Sequence, residues 1–368
     1  MAKRRATKQR VHRAPRAGRT DLTRAYEDGR EDELAPQKDR VRRSGEQAPE
    51  KKTEAKFERR IDLATDADLK DGLVKQVTSR GCAVLHDGEE TWCATRGTFK
   101  QHHQRQSSLV AVGDRVKFRI TGEDEGVVEL VDERKTKLSR RRSRKGDVEH
   151  VMVANVDQLV IISSVKQPSL KLGLIDRYIV AAENGGLDAV ICVNKIDLLG
   201  PEEQRPDADE LYEAIGYTVL FTSAETGEGI EALGDVLKDK LSVISGHSGV
   251  GKSSLLNTVQ PGLNLEVREV MDDKLGRGKH TTVRSTLIPL NMGGYVIDTP
   301  GIRSFGVWDI AAEELAGFFR EFLAPAADCK FPGCSHTHEE GCAVKDAVET
   351  GHVDPRRYES YLSIRDSL

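Results

Sequence analysis

The chain lacks any apolar run that could cross a bilayer, because no stretch approaches the roughly 20 apolar residues of a membrane helix. We therefore expect no membrane partner. The N-terminal segment also lacks an apolar run after its basic residues, so no secretory signal is expected. The first twenty residues also lack acidic side chains, and eight Lys and Arg residues precede the first acidic residue, Asp21. A basic arm on a chain of net charge -4 indicates a polyanionic partner.

Large apolar residues are scarce in residues 1–65, which predicts a disordered basic extension. Cysteine is sparse too. Cys82, Cys93 and Cys192 lie singly in apolar runs and are expected to be buried thiols, whereas the other three cluster near the C-terminus. We expect a reducing, cytoplasmic compartment. The length of 368 residues predicts two or three domains.

Five short alternating apolar runs predict strands at residues 72–79, 82–86, 91–95, 115–120 and 126–131. Together they predict a small β-barrel of the oligonucleotide-binding (OB) type over residues 70–135, with an SH3-like barrel as the alternative. A basic linker over residues 136–150 follows, and it either contacts phosphate or is a solvated connector.

From residue 151 the pattern becomes one of strands alternating with helices. Strands are predicted at residues 158–163, 189–193, 218–222, 241–245 and 295–297, and a helix at residues 170–183. This alternation predicts an α/β domain over residues 151–308, with a parallel sheet covered on both faces. Residues 309–368 are predicted to be a helical domain with a cysteine-rich segment, beginning with a helix over residues 310–323.

A glycine-rich loop lies between a predicted strand and a predicted helix, the context that a phosphate-binding loop requires. Its glycines let main-chain N–H groups approach phosphate, and the helix N-terminus adds partial positive charge. Lys252 is expected to reach the β- and γ-phosphates, and Ser253 to ligate Mg²⁺. The expected nucleotide-binding residues of this segment are Gly246, His247, Ser248, Gly249, Val250, Gly251, Lys252, Ser253 and Ser254.

Two further segments indicate which base is bound. The carboxylate of Asp197 can accept two hydrogen bonds from guanine, and adenine presents no such pair of donors. Lys195 can cover the base, and Asn194 can tie its loop to the phosphate loop. Ser223 and Ala224 follow the next predicted strand and offer N–H groups to the guanine oxygen. The expected guanine-binding residues are Asn194, Lys195, Ile196, Asp197, Ser223 and Ala224.

Two segments have the character of nucleotide switches. Asp298 can hold a Mg²⁺-bound water, and the Gly301 N–H can sense the γ-phosphate. Upstream, either Thr281 or Thr282 is expected to complete the Mg²⁺ shell. Ile302 stands where many GTPases place a glutamine, so slow intrinsic hydrolysis is expected. His280 is the candidate for positioning the water, or is simply an exposed loop histidine, and His247 is expected to be a spacer.

The cysteine cluster predicts a structural zinc site. Cys329, Cys334, His336 and Cys342 supply three thiols and one imidazole, which make a closed tetrahedral set. Because the segment has little apolar core, metal would contribute its folding energy. His338 is a competing ligand, and a disulfide with one free thiol is the alternative.

These motifs, in the order guanine loop, phosphate loop, switches, resemble those of the circularly permuted GTPases. With a barrel before and a cysteine knuckle after, residues 70–368 resemble the bacterial ribosome small subunit-dependent GTPase A family. The resemblance implies a GTPase that acts late in small ribosomal subunit maturation, binds its rRNA and is stimulated by the subunit. It implies GTP, Mg²⁺ and Zn²⁺ as ligands, and we expect a monomer.

The resulting prediction is a circularly permuted P-loop GTPase domain, preceded by an OB-type barrel and followed by a helical zinc-knuckle domain. We also expect the reversed motif order to connect the switch at Asp298 to the C-terminal domain. The alternatives are an RNA-binding GTPase with a non-ribosomal partner, an RNA-binding module with a regulatory or degenerate nucleotide site, a nucleotide kinase or ATPase, and a GTPase with a membrane or cytoskeletal partner.

Overall fold

The structure is a computed structural model. It describes residues 69–78, 80–95, 110–141, 149–263, 265, 285–298 and 310–368, with residues 140, 141 and 298 described by their main chain only. The predicted N-terminal extension lies outside the described residues. So do His280, Thr281, Thr282, Gly301 and Ile302.

The first module is a closed five-stranded barrel. Its strands are β1 Lys70–Val77, β2 Cys82–His86, β3 Glu89–Thr95, β4 Arg115–Ile120 and β5 Glu125–Val131. Strands β1, β2 and β3 form an antiparallel meander, β3 runs parallel to β5, and β4 pairs antiparallel with both β5 and β1. Alternate residues, such as Val74, Val84 and Phe118, fill the interior. The closed order β1-β2-β3-β5-β4 confirms the predicted OB-type barrel over the SH3-like alternative.

A hairpin follows the barrel. It consists of β6 Lys137–Arg141 and β7 Glu149–Ala154, which pair antiparallel. Leu138 and Val153 face each other across the hairpin and are both buried. Residues of the expected basic linker therefore contribute one strand and the beginning of another.

The second module is built on a six-stranded sheet. Its strands are β8 Gln158–Ser164, β9 Asp188–Asn194, β10 Thr218–Phe221, β11 Leu241–Ser245, β12 Thr286–Pro289 and β13 Tyr295–Asp298. The order across the sheet is β10-β9-β8-β11-β13-β12. Five strands are parallel, as predicted, whereas β12 was not predicted and runs antiparallel to β13. The two are neighbours in sequence joined by a tight turn, which only an antiparallel pair permits.

Helices cover both faces of this sheet. They are α1 Leu172–Gly185, α2 Ala208–Glu213, α3 Ile230–Leu237 and α4 Lys252–Val259. Leu159 and Ile161 of β8 face α1, whereas Val160 and Ile162 face α3 and α4, because successive strand residues point to opposite faces. Gly186 caps the C-terminus of α1, and its left-handed φ of 72° lets its N–H donate a hydrogen bond back to the last turn.

The chain order of this sheet is permuted. Strand β11, which leads into the glycine-rich loop, lies at the centre of the sheet but follows the edge strand β10 in sequence. The strands that precede the expected guanine loops, β9 and β10, come earlier in the chain. The circular permutation therefore changes the order in which the chain connects the strands. The sheet remains covered by helices on both faces.

The C-terminal module is helical. A short 3₁₀ helix, Leu315–Phe318, is followed by α5 Arg320–Ala326, α6 Ala343–Glu349 and α7 Pro355–Asp366. The predicted continuous helix over residues 310–323 is wrong, because it is interrupted at Phe319. That residue has extended backbone (φ −106°, ψ 97°) and its ring is fully buried in the core of the module. Among the described residues, no helix combines the length and apolarity needed to cross a membrane.

Candidate functional site

The expected nucleotide-binding segments meet at one edge of the sheet. Strands β8, β9, β10, β11 and β13 are parallel, so their carboxyl ends lie at the same edge. Ligands of open α/β sheets bind at this edge.

The glycine-rich loop connects β11 to α4, and its glycines are required by close approaches. Gly246 has φ 145°, and a Cβ there would overlap the carbonyl oxygen of Ile162. Gly251 has φ 97°, and a Cβ there would overlap the side-chain amide of Asn194. Both positions exclude a larger side chain. The resulting cradle of main chain fits a phosphate chain.

Lys252 is the first residue of α4. Its Nζ donates to the carbonyl oxygens of Gly246 and His247, at 2.8 Å each, so the side chain lies across the mouth of the loop. Ser253 and Ser254 follow in the first helical turn and are half-buried. His247 turns its Nδ1 toward the Ser248 carbonyl oxygen at 2.7 Å, within its own loop.

The guanine loop is tied to the phosphate loop by one buried side chain. Asn194, at the end of β9, is 1% exposed, and its Nδ2 donates to the Val250 carbonyl oxygen at 2.8 Å. Its Oδ1 accepts from the Thr222 hydroxyl at 3.2 Å. Both ends of the amide are thereby fixed, which holds the two loops at a constant spacing.

Asp197 and Ser223 lie in contact. The Ser223 hydroxyl donates to Asp197 Oδ1 at 2.5 Å and accepts from the Thr226 N–H at 3.1 Å. Asp197 is exposed, so its carboxylate is open to a ligand. Ala224 is half-buried, and its carbonyl oxygen accepts from Thr258 on α4 at 3.4 Å. The two base-side segments therefore form one surface beside the phosphate loop.

Lys195 has left-handed backbone, with φ 63°, and its Nζ donates to the main-chain carbonyl oxygen of Gln167. Burial lowers the pKa of Lys195, and the nearby Asp197 opposes that shift. Ile196 is buried and begins a 3₁₀ turn, and its N–H donates to the Thr222 carbonyl oxygen at 3.3 Å.

Sequence reasoning missed two contributors to this site. Thr222 orients Asn194, although it ends a predicted strand and is not among the expected guanine-binding residues. Gln167 contributes its main-chain carbonyl oxygen, so its residue type does not predict the contact with Lys195. Of the switch residues, the structure describes the Asp298 main chain, which ends β13 directly opposite Ile244 of β11. The phosphate-loop strand and the Asp298 strand are thus adjacent.

The four expected zinc ligands form one cluster. The ligand atoms of Cys329, Cys334, His336 and Cys342 lie within 4.8 Å of one another. His336 Nδ1 is 3.6 Å from Cys329 Sγ and 3.4 Å from Cys342 Sγ, and these two sulfurs are 4.0 Å apart. Tetrahedral zinc with ordinary bond lengths requires about 3.5 Å between nitrogen and sulfur and about 3.8 Å between sulfurs. The donor set therefore fits Zn²⁺.

The chemistry of the cluster agrees with its spacing. All six cysteines are free, so the disulfide alternative is not found. His338 is outside the cluster, and its Nδ1 pairs with the Thr337 hydroxyl at 2.9 Å. Burial lowers the pKa of His336, which favours the neutral imidazole that binds metals. The Tyr358 hydroxyl donates to the His336 carbonyl oxygen at 2.6 Å and connects the cluster to α7.

Comparison with known proteins gives relatives over most of the chain. The sequence model of the RsgA GTPase family matches residues 131–308. A "Small ribosomal subunit biogenesis GTPase RsgA" of Chlorobaculum tepidum is 46% identical over 308 residues, covering 81% of this chain and 97% of the relative. Another, of Thermotoga maritima, is 41% identical over 279 residues, covering 75% and 88%.

Two solved structures share the fold. The crystal structure of YjeQ from Thermotoga maritima has a TM-score of 0.67 and 36% identity, covering 82% of this chain and 98% of that one. The structure of YloQ, described as a circularly permuted GTPase, has a TM-score of 0.61 and 32% identity, covering 81% and 94%. The permuted sheet and the sequence identity over four-fifths of the chain lead to one conclusion: the chain belongs to the RsgA family of circularly permuted GTPases.

Proposed function

We propose that this GTPase acts as a nucleotide-dependent switch in the late maturation of the small ribosomal subunit. The observation that carries the nucleotide part is the hydrogen bond from Asn194 to Val250, which holds the guanine loop against the phosphate loop. One GTP molecule can then contact both loops. The ribosomal part is supported by the name of the relatives, small ribosomal subunit biogenesis GTPase.

Guanine selection is assigned to Asp197, with Lys195 over the base and the N–H groups of Ser223 and Ala224 toward the guanine oxygen. Ser223 supports this role because its hydroxyl holds one oxygen of the Asp197 carboxylate. A carboxylate that is fixed in place discriminates against adenine, because adenine leaves it without donors.

Phosphate binding is assigned to the main chain of residues 246–251, to Lys252 and to the first turn of α4. Bound at Ser253, Mg²⁺ would neutralise charge that develops on the phosphates during hydrolysis. Lys252 would exchange its two carbonyl partners for phosphate oxygens. The Asp298 carboxylate, Thr281 or Thr282, the Gly301 N–H and His280 retain their expected switch and water-positioning roles.

Hydrolysis is attack of water on the γ-phosphorus with cleavage of its bond to the β–γ bridging oxygen, giving GDP and phosphate. The groups assigned here position the nucleotide for this step, which is most of what phosphoryl transfer requires of a protein.

The remaining assignments concern the flanking modules. One Zn²⁺ per chain would be structural, because four protein ligands leave no open position. We assign residues 70–135 to the barrel, 136–150 to a basic linker, 151–308 to the GTPase domain and 309–368 to the zinc-binding domain. The barrel and the basic segments would contact rRNA, and we propose a cytoplasmic monomer. Free thiols at all six cysteines agree with a reducing compartment.

The ribosomal role is tested by measuring GTP turnover of the zinc-loaded chain with and without purified small ribosomal subunits. We expect slow turnover alone and strong stimulation by subunits, and co-sedimentation with subunits in a non-hydrolysable GTP analogue but not in GDP. If subunits neither stimulated turnover nor co-sedimented with the protein, the ribosomal proposal would be wrong, and a GTPase with another partner would remain.

The phosphate loop is tested with Lys252→Ala, against Lys238→Ala as a matched control on an exposed lysine. The first variant should lose about 100-fold or more in turnover, since it removes an electrostatic contact to the transferred phosphoryl group. The control should retain the parental rate. Parental turnover in Lys252→Ala would show that the loop has been misassigned.

A further inference from the structure

The loop at the end of β8, residues 164–168, lies against the guanine loop, residues 194–197. The Val165 N–H donates to the Asn194 carbonyl oxygen at 3.0 Å, and Lys195 Nζ donates to the Gln167 carbonyl oxygen. Lys166 Nζ donates to the Leu198 carbonyl oxygen at 3.1 Å. Two of these hydrogen bonds connect the loop, which contains no nucleotide motif, to the segment assigned to guanine, and the third connects it to the residue that follows that segment.

The contact to Lys195 has the most direct consequence for the nucleotide. This residue lies outside regular structure, with a left-handed φ, so no helix or strand fixes its direction. Lys195 is half-buried, so its side chain loses part of its hydration, and the Gln167 carbonyl oxygen accepts a hydrogen bond in place of water. The direction in which this carbonyl points thus decides where the Lys195 side chain lies.

Ser164 fixes that carbonyl. Ser164 is fully buried at the end of β8, and its hydroxyl donates to the Pro168 carbonyl oxygen at 2.7 Å. This hydrogen bond closes the loop across four residues and holds the peptide that precedes Pro168, whose oxygen accepts from Lys195. The side chain of Gln167 is exposed, so only its main chain takes part.

We propose that Ser164 is a positioning residue for guanine recognition. Its hydroxyl holds the loop after β8 so that the Gln167 carbonyl oxygen fixes Lys195 beside the base. Ser164 itself does not touch the nucleotide. This inference rests on the proposed function, because it requires Lys195 to cover the guanine.

The experiment compares three variants of the zinc-loaded full chain. Ser164→Ala removes the hydroxyl, and Ser163→Ala is the matched control, since it lies next to Ser164 in β8 and faces the other side of the sheet. Ser164→Thr keeps the hydroxyl. Affinities for GTP, GDP and ATP are measured by competition with a fluorescent guanine nucleotide, along with the kcat and KM of turnover and the melting temperature without nucleotide.

We expect Ser164→Ala to raise the Kd for GTP and GDP by about 3- to 10-fold, the effect of one lost hydrogen bond. The affinity for ATP should not change, so the GTP-to-ATP preference falls by the same factor. KM should rise with Kd while kcat stays constant, because the lost contact is equal in the ground state and the transition state. Ser163→Ala should match the parent, and Ser164→Thr, which keeps the hydroxyl, should retain GTP affinity.

Equal GTP affinities in Ser164→Ala and Ser163→Ala would overturn the proposal. An equal loss of GTP and ATP affinity together with a lower melting temperature would also overturn it, since that pattern describes a general structural role. Failure of the proposed function is recognised separately, because the parent chain would then show no preference for GTP over ATP.

Discussion

The barrel and the C-terminal module are attached to the GTPase domain by different kinds of contact. The barrel is joined through main chain. Gln76 of β1 pairs with Thr286 of β12, so the strands of the barrel and of the GTPase domain belong to one continuous sheet. The Ala154 N–H also donates to the Val112 carbonyl oxygen at 2.9 Å.

The C-terminal module is joined through side chains, among them three of its own arginines. Arg357 is 1% exposed and donates to Asp176 of α1 and to Glu321, at 2.6 Å each. Arg320 stacks on Tyr217 with its guanidinium carbon 4.1 Å from the ring centroid. Arg356 reaches Asp207 beside α2 at 2.9 Å.

The difference shows which joint depends on particular side chains. A ladder of main-chain hydrogen bonds tolerates most substitutions but requires a specific backbone path. A buried arginine requires its carboxylate partners, because an unpaired charge in the interior is costly.

The two joints also lie near different parts of the nucleotide site. β12 lies between the two expected switch segments, so the barrel is bonded to the strand that connects them. The described contacts attach the C-terminal module to α1, to the start of α2 and to the turn before β10, all on the guanine side. The reversed motif order predicts a connection from the switch at Asp298 to the C-terminal module, and residues 299–309, which would form it, lie outside the described residues.

The largest expected effect is that of zinc removal. Stripping Zn²⁺ with a chelator should unfold the cysteine-rich segment and loosen the arginine joint while the barrel stays folded, because metal binding contributes about 10–16 kcal/mol in zinc-finger peptides. Hydrogen exchange resolved by region measures this. His336→Ala should lose zinc and His338→Ala should retain it. Equal zinc content in the two variants would contradict the ligand assignment.

The next largest effect is expected for Arg357→Leu, which leaves Asp176 buried without its partner. Unfolding free energy should fall by about 3–5 kcal/mol. Arg356→Leu is the matched control at the adjacent position, where the ion pair is partly exposed, and should cost about 0–1 kcal/mol. Urea unfolding of both variants measures the difference. A similar cost for the two variants would mean that burial of the Arg357 pair does not matter.

A side chain at Gly113 should disrupt the main-chain contact between the barrel and the GTPase domain. This residue has φ 88°, and a Cβ there would overlap the Ala154 carbonyl oxygen. Gly113→Ala should cost about 2–3 kcal/mol, because left-handed strain is added to the overlap. Gly88 is the matched control, because it has a similar φ of 84° but no atom near the position of a Cβ. Gly88→Ala therefore measures the backbone strain without an overlap and should lower the unfolding free energy by about 1 kcal/mol. Identical unfolding curves for the two variants would show that the joint tolerates a Cβ.

The smallest expected effect is a pH dependence of the Arg356 contacts. Hydrogen bonds from Arg356 lower the pKa of both Asp207 and Asp354 below the usual aspartate range. When the pKa of an aspartate is lower in the folded state than its unfolded value of about 3.9, the fold is stabilised at pH values above that unfolded pKa. This stabilisation is lost as the pH falls through the folded-state pKa. The difference between wild type and Arg356→Leu, about 0–1 kcal/mol at pH 7, should therefore vanish at strongly acidic pH. Urea titrations at pH 7 and below pH 3 test it, and a difference that persists in acid would contradict it.

Local sequence patterns predicted the strands well. The predicted strand 241–245 coincides with β11, because β-branched and apolar residues between turn formers are a local signal. The helix predicted over residues 310–323 failed, since Phe319 takes extended backbone so that its ring can enter the core formed with α7. β12 was missed because four residues give too short a pattern, and its partners β1 and β13 come from distant and adjacent segments.

The sequence by itself determined the chemistry of this protein. The order of its motifs, the glycines of the phosphate loop, and the set of three cysteines and one histidine all follow from residue type and spacing. Only the tertiary structure decided how these parts are held, through the Asn194 amide between two loops, the Ser164 hydroxyl behind Lys195 and the Arg357–Asp176 pair between modules. The physical reason is that hydrogen bonds and ion pairs between distant segments depend on where the chain brings them together, and a single sequence carries no local signal of that meeting.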